Sequence, residues 1–369
     1  MKTRAAVLYS QPGKWEITEV DLDEPKANEV RVRIKAAGLC HSDDHLCTGD
    51  MPTKLPMAGG HEGAGIVEAV GPYVTDVAPG DHIVIQFIPG CGRCPSCASG
   101  QQNLCDTGAR LLAGTQLDRT YRLHKDGTDI GQMCMVSAFS EYTVIPAISC
   151  VKIPDDVPFE AACLVGCGVP TGWGSAVYGA NVQPGDVTIV MGVGGIGINS
   201  VQGARHAGAS RIIAVDPQPF KRHKALEFGA TDAVADIGEA MILAQELTNG
   251  QGADNAIVTI GVTRPQHIGA AVNAVRKAGT VAVVGLGPST DEELPVSPFA
   301  LTMFQKRIQG VLYGSLSPSK DMLRLLDMYR AGQLKLDELV TRTYTLDQIN
   351  EGYADMHAGR NLRGVITFD

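Results

Sequence analysis

Val187-Thr188-Ile189-Val190-Met191-Gly192-Val193-Gly194-Gly195-Ile196-Gly197 is the stretch whose reading decides the fold. Its first five residues read as a strand, and the glycine turn that follows opens a helical run over 196–207. Glycines at such a turn let the backbone approach a pyrophosphate, and the helix start offers unpaired N–H groups to its charge. A glycine turn alone is common. Here the next strand, 211–215, leads into Asp216, at the distance where an acid accepts a hydrogen bond from a ribose hydroxyl. Strand, turn, helix and acid in register predict dinucleotide binding at Gly192, Gly194, Gly195, Ile196, Gly197 and Asp216. An acid at that point repels the extra phosphate of NADP, so NAD is the expected form. Lys221 and Arg222 lie close enough to soften that preference, although solvation at the surface is their ordinary explanation.

Outward from the turn, strands and helices alternate: helix 220–228, strand 256–260, helix 265–278, strand 280–285. This alternation predicts an α/β fold with a doubly wound parallel sheet. Residues 1 to about 151 have another texture, with short β-rich runs at 30–36, 65–70, 82–87 and 141–145 broken by glycine and proline. They predict a mainly β, barrel-like domain with long loops. From about 312 a helix over 320–331 precedes mixed structure ending at 365–368, expected to pack back on the first domain. The expected division is therefore 1–168 with 312–369, and 169–311.

The 369 residues exceed what one core usually serves, and an apolar fraction of 44% suffices for two. Charged residues make up 19%, with a net charge of −9 and no long block of either sign, which argues against a nucleic-acid surface. No apolar run approaches the ~20 residues of a spanning helix, and the first residues lack a signal-peptide core. The expectation is a cytoplasmic protein whose partners are small molecules and further copies of itself. The run 307–313 reads as the last strand of the sheet, and an exposed edge there invites pairing as a homodimer, or a homotetramer built from such dimers.

All ten cysteines lie between Cys40 and Cys167. In a long chain without a secretion signal, such clustering points to metal or catalysis rather than disulfides. Cys91, Cys94, Cys97 and Cys105 are separated by two, two and seven residues. Four thiolates on one loop can close a tetrahedral shell around a structural zinc. The alternatives are an iron–sulfur cluster, whose known spacings differ, or four unrelated buried thiols. Cys47, Cys134, Cys150 and Cys163 read as small buried apolar groups. Cys40, His61 and Cys167 are far apart in sequence, so spacing alone does not bring them together. Their settings are Cys40-His41-Ser42-Asp43, Gly59-Gly60-His61-Glu62-Gly63 and Gly166-Cys167-Gly168.

These segments, with the four-cysteine loop and the glycine turn, resemble the zinc-containing medium-chain alcohol dehydrogenases over nearly the whole chain. Within that family, stretches 38–45, 87–106 and 336–353 look most like the actinobacterial nitrosodimethylaniline-dependent enzymes, in which the cofactor stays bound. The resemblance implies a GroES-like, mainly β catalytic domain and a Rossmann-type NAD-binding domain. It implies two zinc ions per chain, the catalytic one on Cys40, His61 and Cys167, with Glu62 as a nearby acid that transiently touches it. Zinc lowers the pKa of a bound alcohol, so that hydride can pass to the nicotinamide and a proton must leave. Ser42 and His45 match the family's proton relay, although an isolated serine and histidine in a loop are more often plain surface residues. Asp43 fits a carboxylate orienting His61. His41 and Arg363 are assigned to the pyrophosphate, Lys221 to the adenosine ribose, and Thr171, Val284 and Leu286 to the nicotinamide. Phe87 falls at an aromatic wall of the substrate pocket, a place where a core phenylalanine is equally ordinary.

The implied reaction is hydride transfer between a primary alcohol or its aldehyde and NAD. A cofactor that never leaves would require an external electron acceptor. The formaldehyde and thiol-adduct branch of the family is the alternative, but its charged outer-pocket positions correspond here to Met51 and Ala109. A zinc-free quinone or enone reductase would lack the metal residues, and a catalytically silent NAD-binding protein would have no use for Ser42 and His45.

Overall fold

Six parallel strands form one sheet in the order Asp232–Val234, Arg211–Val215, Val187–Met191, Ala253–Val258, Val275–Val283, Arg307–Gly310. In chain order that is third, second, first, fourth, fifth, sixth. The direction of winding therefore reverses beside Val187–Met191, and open sheets of this kind bind ligands in the crevice that such a reversal leaves at the strands' carboxyl ends. Every residue of Val187–Met191 is buried, as expected for a strand covered on both faces. One face packs Val187, Ile189, Met191, Ile213 and Val258 with Ala240, Ala244, Ala271 and Val272 from the helices Ile237–Leu247 and Pro265–Ala274. Burying each of the valines, isoleucines and the methionine stabilises the fold by about 1.5–3 kcal/mol.

The structure is a computed structural model that describes residues 1–369 except Ser289 and Glu292. The sheet belongs to a unit spanning Gly168–Leu316, and a second unit combines Met1–Cys167 with Ser317–Asp369. In that second unit, Lys2–Leu8, Glu16–Leu22, Leu123–Lys125, Thr128–Gln132 and Met57–Ala58 close into a barrel. Beside it runs a sheet ordered Cys150–Lys152, His82–Ile85, Gly63–Val70, Glu29–Gly38, Arg363–Thr367, Val340–Tyr344, with Tyr142–Pro146 paired to Glu29–Gly38. The antiparallel pairing of Val365 with Gly38 places the last strand of the chain beside the start of the Cys40 segment. Among the described residues no helix is long and apolar enough to cross a membrane.

Several local expectations are corrected. The helix expected over 265–278 stops at Ala274, because Val275 already pairs with Ala253. The chain then bulges, with Ala278 at φ +59°, before pairing resumes at Thr280 with Asn255. The strand expected over 307–313 ends at Gly310, and Tyr313, Gly314 and Ser315 turn away with positive φ. Ser42 and His45 lie on a helix, His41–Thr48, rather than in a loop. Asp43 and Asp44 occupy its first turn, favourable for the helix dipole, and Gly49 ends it at φ +88°.

Candidate metal centres and nucleotide site

Cys40 is the N-cap residue of the helix His41–Thr48, in extended backbone, and its thiol makes no capping hydrogen bond. His61 follows the turn at Gly60 and precedes the strand Gly63–Val70, and Cys167 lies just beyond the helix Phe159–Leu164. These three segments and Glu62 converge. One ligand atom from each of Cys40, His61, Glu62 and Cys167 lies within 4.8 Å of the others, and all four residues are buried. Contact with Cys167 drives the Cys40 thiol well below its ordinary range against the opposing effect of burial, and His61 adds to the lowering. Burial pushes the Glu62 carboxyl up to about 7, although Arg363 pulls the other way. Arg363 Nη2 donates to Glu62 Oε2, while Glu62 Oε1 has no hydrogen-bond partner. A buried, unpartnered carboxylate oxygen beside two thiols and an imidazole is a donor set that fits a divalent cation such as zinc.

The surroundings orient these groups. Asp43 is fully buried, accepts a hydrogen bond from Gly60 N at 2.8 Å, and holds Oδ2 3.0 Å from His61 Nδ1. That second approach is close enough for an ion pair but out of line for a well-formed hydrogen bond. With Nδ1 turned to Asp43, Nε2 is the nitrogen left for the cluster. Phe87 stands edge-on to the His61 ring, centroids 5.2 Å apart. Ser42 Oγ is 3.7 Å from Cys40 Sγ, and His45 lies three residues further along the same helix face. His45 Nδ1 and Asp50 Oδ2 are 2.9 Å apart. Asp50 was not anticipated: the chain reverses at Gly49, and only that turn carries a residue beyond the helix back to its flank.

The four-cysteine loop forms a second cluster. Cys91 and Cys97 Sγ are 4.0 Å apart, and Cys94 and Cys105 Sγ 3.9 Å. A tetrahedral shell with zinc–sulfur bonds of about 2.3 Å has edges of roughly 3.8 Å, whereas a disulfide needs about 2.0 Å. All ten cysteines are free. Backbone amides face the sulfurs, with Cys94 N 3.4 Å from Cys91 Sγ, Cys97 N 3.5 Å from Cys94 Sγ and Cys91 N 3.3 Å from Cys105 Sγ. The amides of Arg93 and Cys94 hold the Cys91 thiol below its ordinary range. These donors also fit a thiolate-bound zinc.

In the unit Gly168–Leu316, the turn after Val187–Met191 has the shape a phosphate cradle needs. Gly192 sits at φ +87°, and a Cβ on Gly197 would lie 2.0 Å from the Gly192 carbonyl oxygen. Neither position has room for a side chain. The helix Gly197–His206 has no side-chain cap at its start. Asp216 Oδ2 accepts from Val193 N at 3.1 Å and Oδ1 from Gln218 N at 2.9 Å, so the acid also braces the turn. Lys221 Nζ lies above Gly194, whereas Arg222 Nη1 is drawn off by the carbonyls of Asp216 and Pro217. Val284 and Leu286 follow the strand Val275–Val283 at the same carboxyl ends of the sheet, joined to its neighbour by Val284 N to Val258 O. Thr171 is buried on the helix Gly168–Gly174. His41 opens the helix that carries Ser42. Arg363, expected at the pyrophosphate, is only 4% exposed and spends its Nη2 on Glu62 and the Leu39 carbonyl.

This combination of a nucleotide sheet with two metal-competent clusters defines a class, and comparison with known proteins agrees with it. Residues 26–155 match the family described as alcohol dehydrogenase GroES-like domain, and residues 195–329 that described as zinc-binding dehydrogenase. The chain belongs to the zinc-dependent medium-chain alcohol dehydrogenases, which transfer hydride between an alcohol and a nicotinamide cofactor. It is 52% identical to an NDMA-dependent alcohol dehydrogenase of Amycolatopsis methanolica, over 99% of each chain. Among solved structures, it resembles an alcohol dehydrogenase zinc-binding domain protein of Burkholderia ambifaria at a TM-score of 0.93 and 32% identity, covering 100% of this chain and 99% of that one. It also resembles a benzyl alcohol dehydrogenase of Acinetobacter calcoaceticus at a TM-score of 0.92 and 30% identity, covering 100% of each.

Proposed function

We propose that the chain oxidises small primary alcohols, or reduces their aldehydes, with NAD, and that it carries two zinc ions with different tasks. The observation that carries this reading is the buried convergence of Cys40, His61, Glu62 and Cys167 beside Ser42. Zinc, when bound there, would make a substrate hydroxyl more acidic. Ser42 then accepts the hydroxyl proton, and His45, one turn on and oriented by Asp50, carries it onward. Asp43 keeps His61 in the tautomer that can ligate. Phe87 contributes an apolar wall beside the reacting carbon. Cys91, Cys94, Cys97 and Cys105 hold the second zinc, which leaves no open position and braces their loop.

The glycine turn and Asp216 hold the cofactor's pyrophosphate and ribose, with Lys221 at the adenosine side. The placement of Thr171, Val284 and Leu286 is compatible with the nicotinamide. NAD is favoured over NADP because Asp216 fills the ribose position with negative charge while Arg222 is tied to backbone carbonyls. Similarity to an enzyme named for its dependence on NDMA favours a cofactor that stays bound between turnovers, reoxidised in place by an external acceptor. Self-assembly is supported by exposed Phe299 and Met303 on the helix Pro298–Met303 and by the open edge of the strand Arg307–Gly310.

The test is to purify the protein, measure zinc and nicotinamide after gel filtration, and assay a panel of alcohols with and without an artificial acceptor. Two zinc ions, retained nicotinamide and acceptor-dependent oxidation are expected. Alcohol oxidation that survives removal of all zinc would refute the mechanism, and brisk release of free NADH would refute the bound cofactor alone.

A further inference from the structure

The backbone leading into His61 is held by a segment with no assigned role. The residues just before it, Ala58, Gly59 and Gly60, form a short rail. Ser137 Oγ donates to Ala58 O at 2.7 Å, Phe139 N to Gly59 O at 3.0 Å and Ala138 N to Gly60 O at 2.8 Å. From the other side Gly59 N donates to Ala6 O at 3.1 Å, and Asp43 Oδ1 accepts from Gly60 N at 2.8 Å. Gly60 holds φ +93°, and a Cβ there would meet Phe139 N at 2.4 Å. The rail is therefore clamped between two layers, and His61 leaves its end.

The clamping segment is itself strained. Cys134, Met135 and Ser137 have φ of +56°, +64° and +48°, three left-handed L-residues within four positions. Such conformations persist only where surrounding contacts over-determine them, and they gather at sites where geometry matters. Here Cys134 N donates to Leu111 O at 2.7 Å, Val136 N to Met133 O at 3.0 Å, and Ser140 Oγ to Ser137 O at 2.8 Å. Of the three bonds that reach the rail's carbonyls, two are backbone amides; the third is the Ser137 hydroxyl, which is wholly buried. A left-handed turn at Ser137 both aims the hydroxyl at Ala58 and brings the next two amides into step with Gly59 and Gly60.

We propose that Ser137 is a positioning residue for His61: through the Ala58 carbonyl it sets the rail that fixes the imidazole against the other ligands. The proposal rests on the reading of Cys40, His61 and Cys167 as a zinc site. It predicts that losing the hydroxyl loosens one metal centre and leaves the four-cysteine centre untouched. Ser137→Ala removes the bond but keeps the backbone strain. Ser137→Gly removes the bond and relieves the strain, since glycine accepts φ +48° freely, so it separates stability from positioning.

The experiment uses the full-length protein and reads zinc transfer to a chromogenic chelator, thermal stability, and the visible spectrum of the cobalt-exchanged form. Both variants are expected to release one of two zinc ions about tenfold faster than the parent, the scale seen when groups behind a metal ligand are removed. The cobalt spectrum should shift in both, and Ser137→Gly should melt no lower than Ser137→Ala. If both variants keep the parent's release rate and spectrum, whatever their melting temperatures, the hydroxyl only supports the fold and the proposal is wrong. If Cys167→Ser leaves the metal content of the parent unchanged, the zinc reading itself fails and takes the proposal with it.

Discussion

Replacing Asp43 by asparagine tests the charge behind His61 with little change of shape. Asp43 makes two approaches, Oδ1 to Gly60 N at 2.8 Å and Oδ2 to His61 Nδ1 at 3.0 Å. An asparagine keeps the first with its amide oxygen. At the second it presents NH2, a donor, to a nitrogen that must carry a proton if Nε2 is to ligate. The ring then either suffers two facing donors or moves its proton to Nε2 and ceases to be a ligand. Removing such partners typically weakens metal binding by 10- to 100-fold, or about 1.4–2.7 kcal/mol. Because the Gly60 bond survives, thermal stability should change little. Asp43→Ala loses both contacts, and the buried Gly60 amide left unpaired should cost a further ~1–3 kcal/mol of folding stability. Dialysis against graded chelator, with zinc counted per chain, should show two steps in the parent. In Asp43→Asn the easier step should move to chelator concentrations 10- to 100-fold lower (roughly, by the same reasoning), with the other unchanged. An unmoved first step, or both steps moving together, would refute the orienting role.

Cys94→Ser should lose one zinc and destabilise the four-cysteine loop, while Cys167→Ser should lose the other and abolish turnover with the fold kept; elemental analysis, circular dichroism and rate measurements distinguish them. Ser42→Ala should slow alcohol oxidation by roughly 100-fold or more without loss of zinc, as expected for a group that moves a proton in the rate-limiting step. Arg122 is completely buried, with Nε 2.8 Å from Glu29 Oε2 and Nη2 2.6 Å from Oε1. Arg122→Met should therefore lower stability by about 3–5 kcal/mol in urea titrations, because Glu29 is left as a buried lone charge, and adding Glu29→Gln should recover much of it.

Much of the nucleotide sheet was legible because its chemistry is local. Val187–Met191 and Arg211–Val215 are found as the sequence suggested, each a run of residues buried on nearly every side and ended by a turn or an acid. The four-cysteine loop is legible for the same reason, its ligands lying within fifteen residues of one another along the chain. The helix Ile237–Leu247 is less legible. Its start is marked by Asp236, which caps Gly238 N and Glu239 N, but Ile242 is 61% exposed and blurs the apolar stripe. The bulge at 275–279 is invisible in the sequence because Ala278 in a left-handed conformation leaves no mark in residue type. The helix under Ser42 and His45 is faint in the sequence because it is eight residues long and mostly polar, with little apolar periodicity.

Arg363 engages Glu62, a contact that local sequence could not reveal. Its partner Glu62 is 301 residues away, and the pairing exists only because the strand Arg363–Thr367 lies beside Glu29–Gly38. Two thiols and a carboxylate within 4.8 Å would repel one another strongly once ionised in so buried a place. One compensating charge comes from Arg363. It engages one oxygen of Glu62 and leaves the other without a partner, close to the cluster. Arg363 thus competes for the carboxylate that would otherwise complete a closed tetrahedral shell. On the proposed assignment, three protein ligands with a fourth held back would leave an open position, which is what separates a zinc that can take a substrate oxygen from one that only braces a loop. The contrast with Cys91, Cys94, Cys97 and Cys105, where four sulfurs face one another, is the structural ground for proposing different tasks for the two centres.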